Sequence, residues 1–260
     1  MRILVTMKKY KKNNDFRFWH LFSILLIAGV MFTGITIFGT WAYDYVDSMN
    51  TSTTAQRTTT EINEQAILLG TRQKLIEANV FIQVNIPTGY EIGSGTIIYQ
   101  DDDYYYAITN EHVLDGNNEV INSYQATTFD NVTTTFEIIA LDQIKDLALI
   151  KFTKNSRELI NPLSTIFEGI YIDDIVVAVG NPYGITASIS YGSIHQLTTI
   201  RELEIERLVI EHDAPSYTGS SGGALVDMYG NLKGINSWEL NGLYYAIPIS
   251  VINTFLENNL

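Results

Sequence analysis

The 260 residues include 29 acidic and 16 basic side chains, a net charge of −13, with 46% hydrophobic residues and no cysteine. An acidic body repels phosphate backbones and argues against nucleic acid as a partner, and a chain without cysteine has no disulfide, no thiol nucleophile and no cysteine-based metal site. The length suits one medium domain, large enough to fold without covalent staples, plus an appendage.

Residues 1–17 form a basic tail, with Arg2, Lys8, Lys9, Lys11, Lys12 and Arg17 against Asp15 alone. Residues 18–42 follow as a candidate transmembrane anchor. From Leu21 to Phe38 there is no charge, and Trp19, Trp41 and Tyr43 stand near the ends. A bilayer core of about 30 Å takes about 20 apolar residues in a helix, aromatics favour its interfaces, and the basic cluster keeps the N-terminus cytoplasmic. The competing reading is a cleaved signal peptide, but the apolar run exceeds the usual ~7–15 residues and Thr40-Trp41-Ala42 is a poor cleavage site. Either way, the remainder is expected outside the cytoplasm.

Residues 43–78 read as a Ser/Thr-rich linker and a short helix. The segment 44–60 is polar and suits a flexible tether. Ile62, Ala66, Leu69, Leu75 and Ile76 then recur at helical spacing, in a helix that either packs on the domain or self-associates.

Beyond Val80 the texture becomes short β-branched and aromatic runs separated by Gly, Asn and Asp turns, at 80–84, 95–99, 104–109, 136–140 and 146–152. A second group falls at 174–179, 188–194, 208–211, 223–226, 232–235 and 244–247, before a closing helix from Val251. Many short strands without alternating helices indicate an all-β fold, and two groups of similar size suggest two barrels side by side, about 79–155 and 165–250. One domain therefore spans 79–258.

The sharpest motif is Thr218-Gly219-Ser220-Ser221-Gly222-Gly223, just before an apolar strand. Glycines permit backbone angles that aim the amides of Gly219 and Ser221 at one point and clear space beside the Ser221 hydroxyl. An oxyanion held there gains about 2.7–4 kcal/mol per donor. A serine hydroxyl also needs a neighbouring base. Of four histidines, His20 belongs to the membrane segment, while His195 and His212 sit among strand-like residues and read as structural or surface groups. His112 directly follows a strand, where a loop presents it. The carboxylate that fixes its tautomer is expected to be Asp146, which opens the apolar run 146–150; Asp142, Asp130 and Asp115 are weaker substitutes.

Chain order separates architectures. Gly219-x-Ser221-x-Gly223 also matches the nucleophile elbow of α/β-hydrolases, but no histidine follows Ser221. A subtilisin-like order is formally open through Asp101 to Asp103, yet that fold needs alternating helices and strands. His112, Asp146, Ser221 on an all-β texture is the chymotrypsin order.

Over about residues 77–258 the sequence resembles the HtrA/DegP branch of trypsin-like serine proteases. The resemblance rests on Gly93-Ser94-Gly95, Ile108-Thr-Asn-Glu-His112-Val113, Asp146-Leu-Ala-Leu-Ile150, Val179-Gly-Asn-Pro-Tyr-Gly184, Gly192-Ser-Ile194, Asp213-Ala214, Gly219 to Val226, Gly230-Asn-Leu-Lys-Gly-Ile-Asn236 and Ala246-Ile-Pro248. It implies two six-stranded barrels with a triad in the cleft between them, and ATP-independent cleavage of misfolded or regulatory proteins, often by trimers. His112 would be the base, Asp146 the orienting group, Ser221 the nucleophile, and the amides of Gly219 and Ser221 the oxyanion hole. Pro215 stands where enzymes cutting after basic residues carry Asp, which favours small or medium apolar side chains. Ile235, Asn236 and Ser237 are expected to contact substrate. No metal or cofactor is implied.

Departures are Ser220 for the usual Asn and Tyr217-Thr218 for the usual Asn-Pro. The short stretch after Ser221 leaves no room for a C-terminal PDZ module, and 180–186 and 188–193 resemble the family's mobile activation loops. A catalytically quiet sensor or scaffold that binds peptides is the alternative to a membrane-tethered protease.

Overall fold

The computed structural model describes Thr40, Gln65, residues 67–202 and residues 205–260. The expected basic tail, anchor and linker lie outside the described residues, apart from Thr40. The chain divides into two units, 1–63 and 64–260, and the description that follows concerns the second.

Six strands form the first sheet: β1 (Asn79–Ile86), β2 (Gly89–Gln100), β3 (Tyr104–Thr109), β4 (Ser123–Thr127), β5 (Thr133–Asp142) and β6 (Leu147–Thr153). They close in the order β1-β2-β3-β6-β5-β4, with β1 also antiparallel to β4. The second set is β7 (Ile175–Gly180), β8 (Ser188–Glu202), β9 (Ile205–His212), β10 (Ala224–Asp227), β11 (Leu232–Leu240) and β12 (Leu243–Pro248). It closes as β10-β11-β12-β9-β8-β7. Closure removes unpaired strand edges and gives each barrel an inner face that excludes water. The expected all-β architecture of two six-stranded barrels is the one observed.

The sequence shows why these runs become strands. In β1, Val80, Ile82, Val84 and Ile86 alternate inward with a period of two, joining Ile97, Ala107, Ile150 and Phe152 in the first core. Strand β4, Ser-Tyr-Gln-Ala-Thr, was not among the expected strands. Only Ala126 is buried there, so its apolar pattern is too weak to read without its partners β1 and β5. Strand β8 runs to Glu202, beyond the expected 188–194, because its distal half pairs with β9 as an extended hairpin.

Residues 67–78 form helix α1 and Ile249–Leu256 form helix α2. Leu75 and Ala78 of α1 share a buried cluster with Ile249, Ile252 and Phe255 of α2, and Thr71 Oγ1 donates to the Met228 carbonyl at 2.8 Å. Helix α1 thus packs on the domain. Helix α2 begins at Ile249, two residues earlier than expected, directly after Pro248, whose φ of −70° suits a helix entry. The same cluster holds Ile108, Leu147 and Leu149 of the first barrel with Val177, Val179, Ala224, Val226 and Ile235 of the second, so the barrels adhere through a shared apolar seam. Each such valine, leucine or isoleucine side chain contributes about 1.5–3 kcal/mol when fully buried.

Candidate active site

Asp146 precedes β6 with φ of 55°, in the left-handed region that aspartate tolerates better than bulkier residues. It is almost fully buried, yet its carboxylate is surrounded by donors. The His112 amide donates to Oδ1 at 3.1 Å, the His112 ring Nδ1 lies 2.9 Å from Oδ1 and 3.0 Å from Oδ2, and the Ser237 hydroxyl donates to Oδ2 at 2.6 Å. Asn110, also buried, donates to the Asp146 carbonyl at 3.0 Å and ties the loop after β3 to the start of β6. A carboxylate can only accept here, so the ring proton belongs on Nδ1 and Nε2 keeps its lone pair. Of the aspartates weighed from sequence, Asp142 pairs with Lys145, Asp130 caps Thr128 and the Arg157 amide, and Asp115 accepts from the Asn117 amide.

Burial opposes charge on the His112 ring. The hydrogen bond and charge of Asp146, with the charges of Asp115 and Glu111 added, outweigh it, and the imidazole pKa stands above the usual histidine value. Its side chain is 41% exposed, so one side remains open to the groove described below while Nδ1 faces the carboxylate. Glu111 feels the same field: burial first, then the negative charges of Asp146 and Asp115, push its carboxyl up.

Ser221 lies in the turn before β10, and both barrels hold that turn. The Ser94 hydroxyl donates to the Gly219 carbonyl at 2.7 Å, the Ser94 amide to the Ser221 carbonyl at 2.8 Å, and Thr96 Oγ1 to the Gly222 carbonyl at 3.0 Å. Contact this close demands glycine. A Cβ on Gly222 would sit 1.9 Å from the Ser94 carbonyl oxygen, and Gly222 has φ of +89°. The Thr218 carbonyl accepts from the Tyr183 amide at 2.8 Å, and the Ser220 carbonyl from the Gly223 amide at 3.0 Å. In a trans peptide the N–H points opposite to the C=O, so anchoring these two carbonyls turns the amides of Gly219 and Ser221 to the other side. Among the described residues neither amide has a hydrogen-bond partner.

His112, Ser221 and Gly219 line one groove of about 560 Å³, with Glu91, Ile92 and Asp115 from the first barrel and Tyr217, Thr218, Ser237, Trp238 and Glu239 from the second. The Ser221 hydroxyl donates to the Ser237 carbonyl at 3.0 Å, and among the described residues no hydrogen bond joins it to the His112 ring. Ser237 therefore touches two members of the constellation, Asp146 through its hydroxyl and Ser221 through its backbone.

The other expected contact residues are distributed differently. Ser237 lines the groove; Pro215 lines a separate cavity of about 190 Å³ behind the Ser221 turn. Ile235 and Asn236 are buried, and Asn236 Nδ2 donates to the Gly223 carbonyl at 3.1 Å. His195 contacts Asp213 at 3.2 Å, outside the groove, and His212 is fully buried. Sequence reasoning missed Glu91, Asp115, Tyr217, Trp238 and Glu239 as groove residues. Trp238 and Glu239 had an available signal, since they continue the strand that carries Ser237. Among the described residues no cluster of three or more His, Asp and Glu side chains could hold a metal ion.

Two barrels with a serine, a histidine–carboxylate pair and a glycine-rich turn lining one groove define a trypsin-like class. The family model for the trypsin-like peptidase domain matches residues 93–235, more than half of the chain, and the chain belongs to that family. It is similar to a probable periplasmic serine endoprotease, DegP-like, of Buchnera aphidicola (34% identity, covering 65% of this chain and 35% of the relative). It is also similar to serine endoprotease DegS of Haemophilus influenzae (29% identity, covering 70% and 52%). Among solved structures, the serine endoprotease from Yersinia pestis superposes with a TM-score of 0.62 at 25% identity, covering 74% of this chain and 65% of that one. These relatives support the HtrA-like assignment. The chain spans about a third to a half of the length of these two curated relatives.

Proposed function

We propose that the chain is a membrane-tethered serine endopeptidase that cleaves misfolded or regulatory proteins outside the cytoplasm. The observation that carries the reading is that His112, held 2.9 Å from Asp146, lines the same groove as Ser221 and two amides that have no partner among the described residues. Asp146 keeps the ring proton on Nδ1, and Nε2 takes the proton of Ser221 Oγ as that oxygen attacks the substrate carbonyl. For this the hydroxyl rotates from the Ser237 carbonyl toward the ring. The oxyanion rests on the amides of Gly219 and Ser221. Charged His112 then hands its proton to the departing amine, leaving an acyl group on Ser221. Water, deprotonated by His112, releases the acyl group as the new carboxyl terminus.

Tethering rests on the uncharged stretch from Leu21 to Phe38 with a basic segment before it. The term "periplasmic" in the name of the DegP-like relative agrees with action outside the cytoplasm. A homotrimer rests on the family resemblance alone, and sedimentation of the detergent-solubilised chain tests it.

A second reading, a catalytically quiet peptide sensor, is favoured by one observation: the Ser221 hydroxyl is engaged by the Ser237 carbonyl and not by the ring. Fluorophosphonate labelling separates the two. Labelling lost in Ser221→Ala supports the peptidase; a wild-type chain that does not label supports the sensor.

A further inference from the structure

The Ser221 turn and strand β11 form two walls of the groove, Ser216 to Gly219 on one side and Ser237 to Glu239 on the other. If the attacked carbon meets Ser221 Oγ and its oxygen meets the two amides, the side chain preceding the scissile bond lies beside the turn that supplies those amides, between it and β11.

An aromatic contact links the turn to β12, the strand paired with β11. Tyr217 belongs to the turn. Tyr244 belongs to β12, in register with Glu239 of β11. Their ring centroids are 6.1 Å apart with planes at 86°, an edge-to-face contact joining one wall to the strand behind the other. At the outer end the Tyr183 ring stacks on Tyr217 at 6.2 Å; at the inner end the His212 ring lies 6.0 Å from Tyr244. Burial deepens along this row: Tyr217 is 48% exposed, Tyr244 8% and His212 fully buried. At its inner end, among the described residues, neither ring nitrogen of His212 nor the Asn236 Oδ1 has a partner in good hydrogen-bond geometry, which is costly for buried polar atoms.

We infer that Tyr217 and Tyr244 are specificity-determining residues: they fill the space beside Ser221 that would otherwise take a long side chain, so the residue preceding the scissile bond is alanine or glycine. Behind Tyr244, His212 and Asn236 form a polar floor that is sealed while the tyrosine is present. Removing the Tyr244 ring opens the space to leucine and uncovers that floor to glutamine, whose amide offers both a donor and an acceptor. This rests on the peptidase reading above and adds which substrates that site accepts.

The test uses the full chain in detergent micelles and a peptide series with Ala, Leu, Phe or Gln before the scissile bond, read as kcat/KM, alongside fluorophosphonate labelling. The wild type should prefer Ala to Leu by about tenfold or more, a discrimination that a few methylenes in a filled pocket supply. Tyr244→Ala and Tyr217→Ala should each raise the Leu-to-Ala ratio about tenfold, and only Tyr244→Ala should gain on Gln; Tyr244→Phe should keep the wild-type order. Tyr217 is half exposed, so its variant decides the matter should Tyr244→Ala fail to fold. Wild-type cleavage after Leu or Phe as fast as after Ala, or an unchanged ratio in Tyr217→Ala, with labelling intact, overturns this inference alone. A wild type that neither labels nor cleaves overturns the peptidase reading and this inference with it.

Discussion

The Ser237 hydroxyl donates to Asp146 Oδ2 at 2.6 Å, placing a β11 side chain from the second barrel on the carboxylate that holds the first barrel's histidine. The backbone of the same residue accepts the Ser221 hydroxyl at 3.0 Å. One strand position thus sets the reach of both groups.

Ser237→Ala removes the hydroxyl and leaves the carbonyl. A hydrogen bond to a charged group is worth about 1.5–3 kcal/mol, and its loss leaves more negative charge on Asp146 for the ring to feel. The expected outcome is kcat/KM lower by about tenfold, with the His112 pKa moved further up. A pH–rate profile of wild type and variant measures both.

Activity should increase with pH through a titration above 6.5, because Asp146 together with Asp115 and Glu111 overcomes burial and raises the His112 pKa, and only the neutral ring accepts the serine proton. Linkage runs the other way for stability. A raised folded-state pKa means that the charged ring supports the fold below the unfolded value near 6.5, and this support fades as pH rises through the folded pKa. Asp146→Asn should lower kcat by roughly 10³–10⁴-fold through loss of the correct tautomer. A flat rate profile from pH 5 to 8 would contradict the role of His112.

His212 predicts acid sensitivity of the second barrel. Burial, opposed by the charge of Asp213, lowers its pKa to about 4. The unfolded chain binds this proton from about pH 6.5 downward while the folded chain resists until about pH 4, so stability is full above 6.5 and falls as pH drops across that window. The difference of about 2.5 units corresponds to about 3 kcal/mol at most. Urea unfolding at pH 7 and pH 4.5 should show a smaller loss in His212→Gln than in wild type; equal losses would refute the assignment.

Gly222→Ala and Gly242→Ala separate crowding from backbone strain. Both residues have positive φ, +89° and +79°, but a Cβ on Gly222 meets the Ser94 carbonyl oxygen at 1.9 Å while one on Gly242 meets nothing within 4 Å. Gly242→Ala should cost about 1–2 kcal/mol. Gly222→Ala should cost several times more and abolish labelling of Ser221, since relieving the clash displaces the turn from β2. Thermal unfolding with probe labelling reports both.

Local pattern made much of this molecule legible. Alternation in β1, the glycines around Ser221, a histidine directly after β3 and the order His112, Asp146, Ser221 are all short-range features of the chain. They suffice for an all-β, two-barrel domain and for the residues that could carry nucleophilic chemistry. The sequence could not show strand β4, whose single buried alanine has meaning only between its neighbours, or the two attachments of Ser237. Nor could it show that Ile235 and Asn236 are buried in the fold while Tyr217, a groove residue, meets Tyr244 of β12. Those facts depend on which strands become neighbours and in what register. Periodicity determines that a residue faces inward, but only barrel closure decides what it meets there.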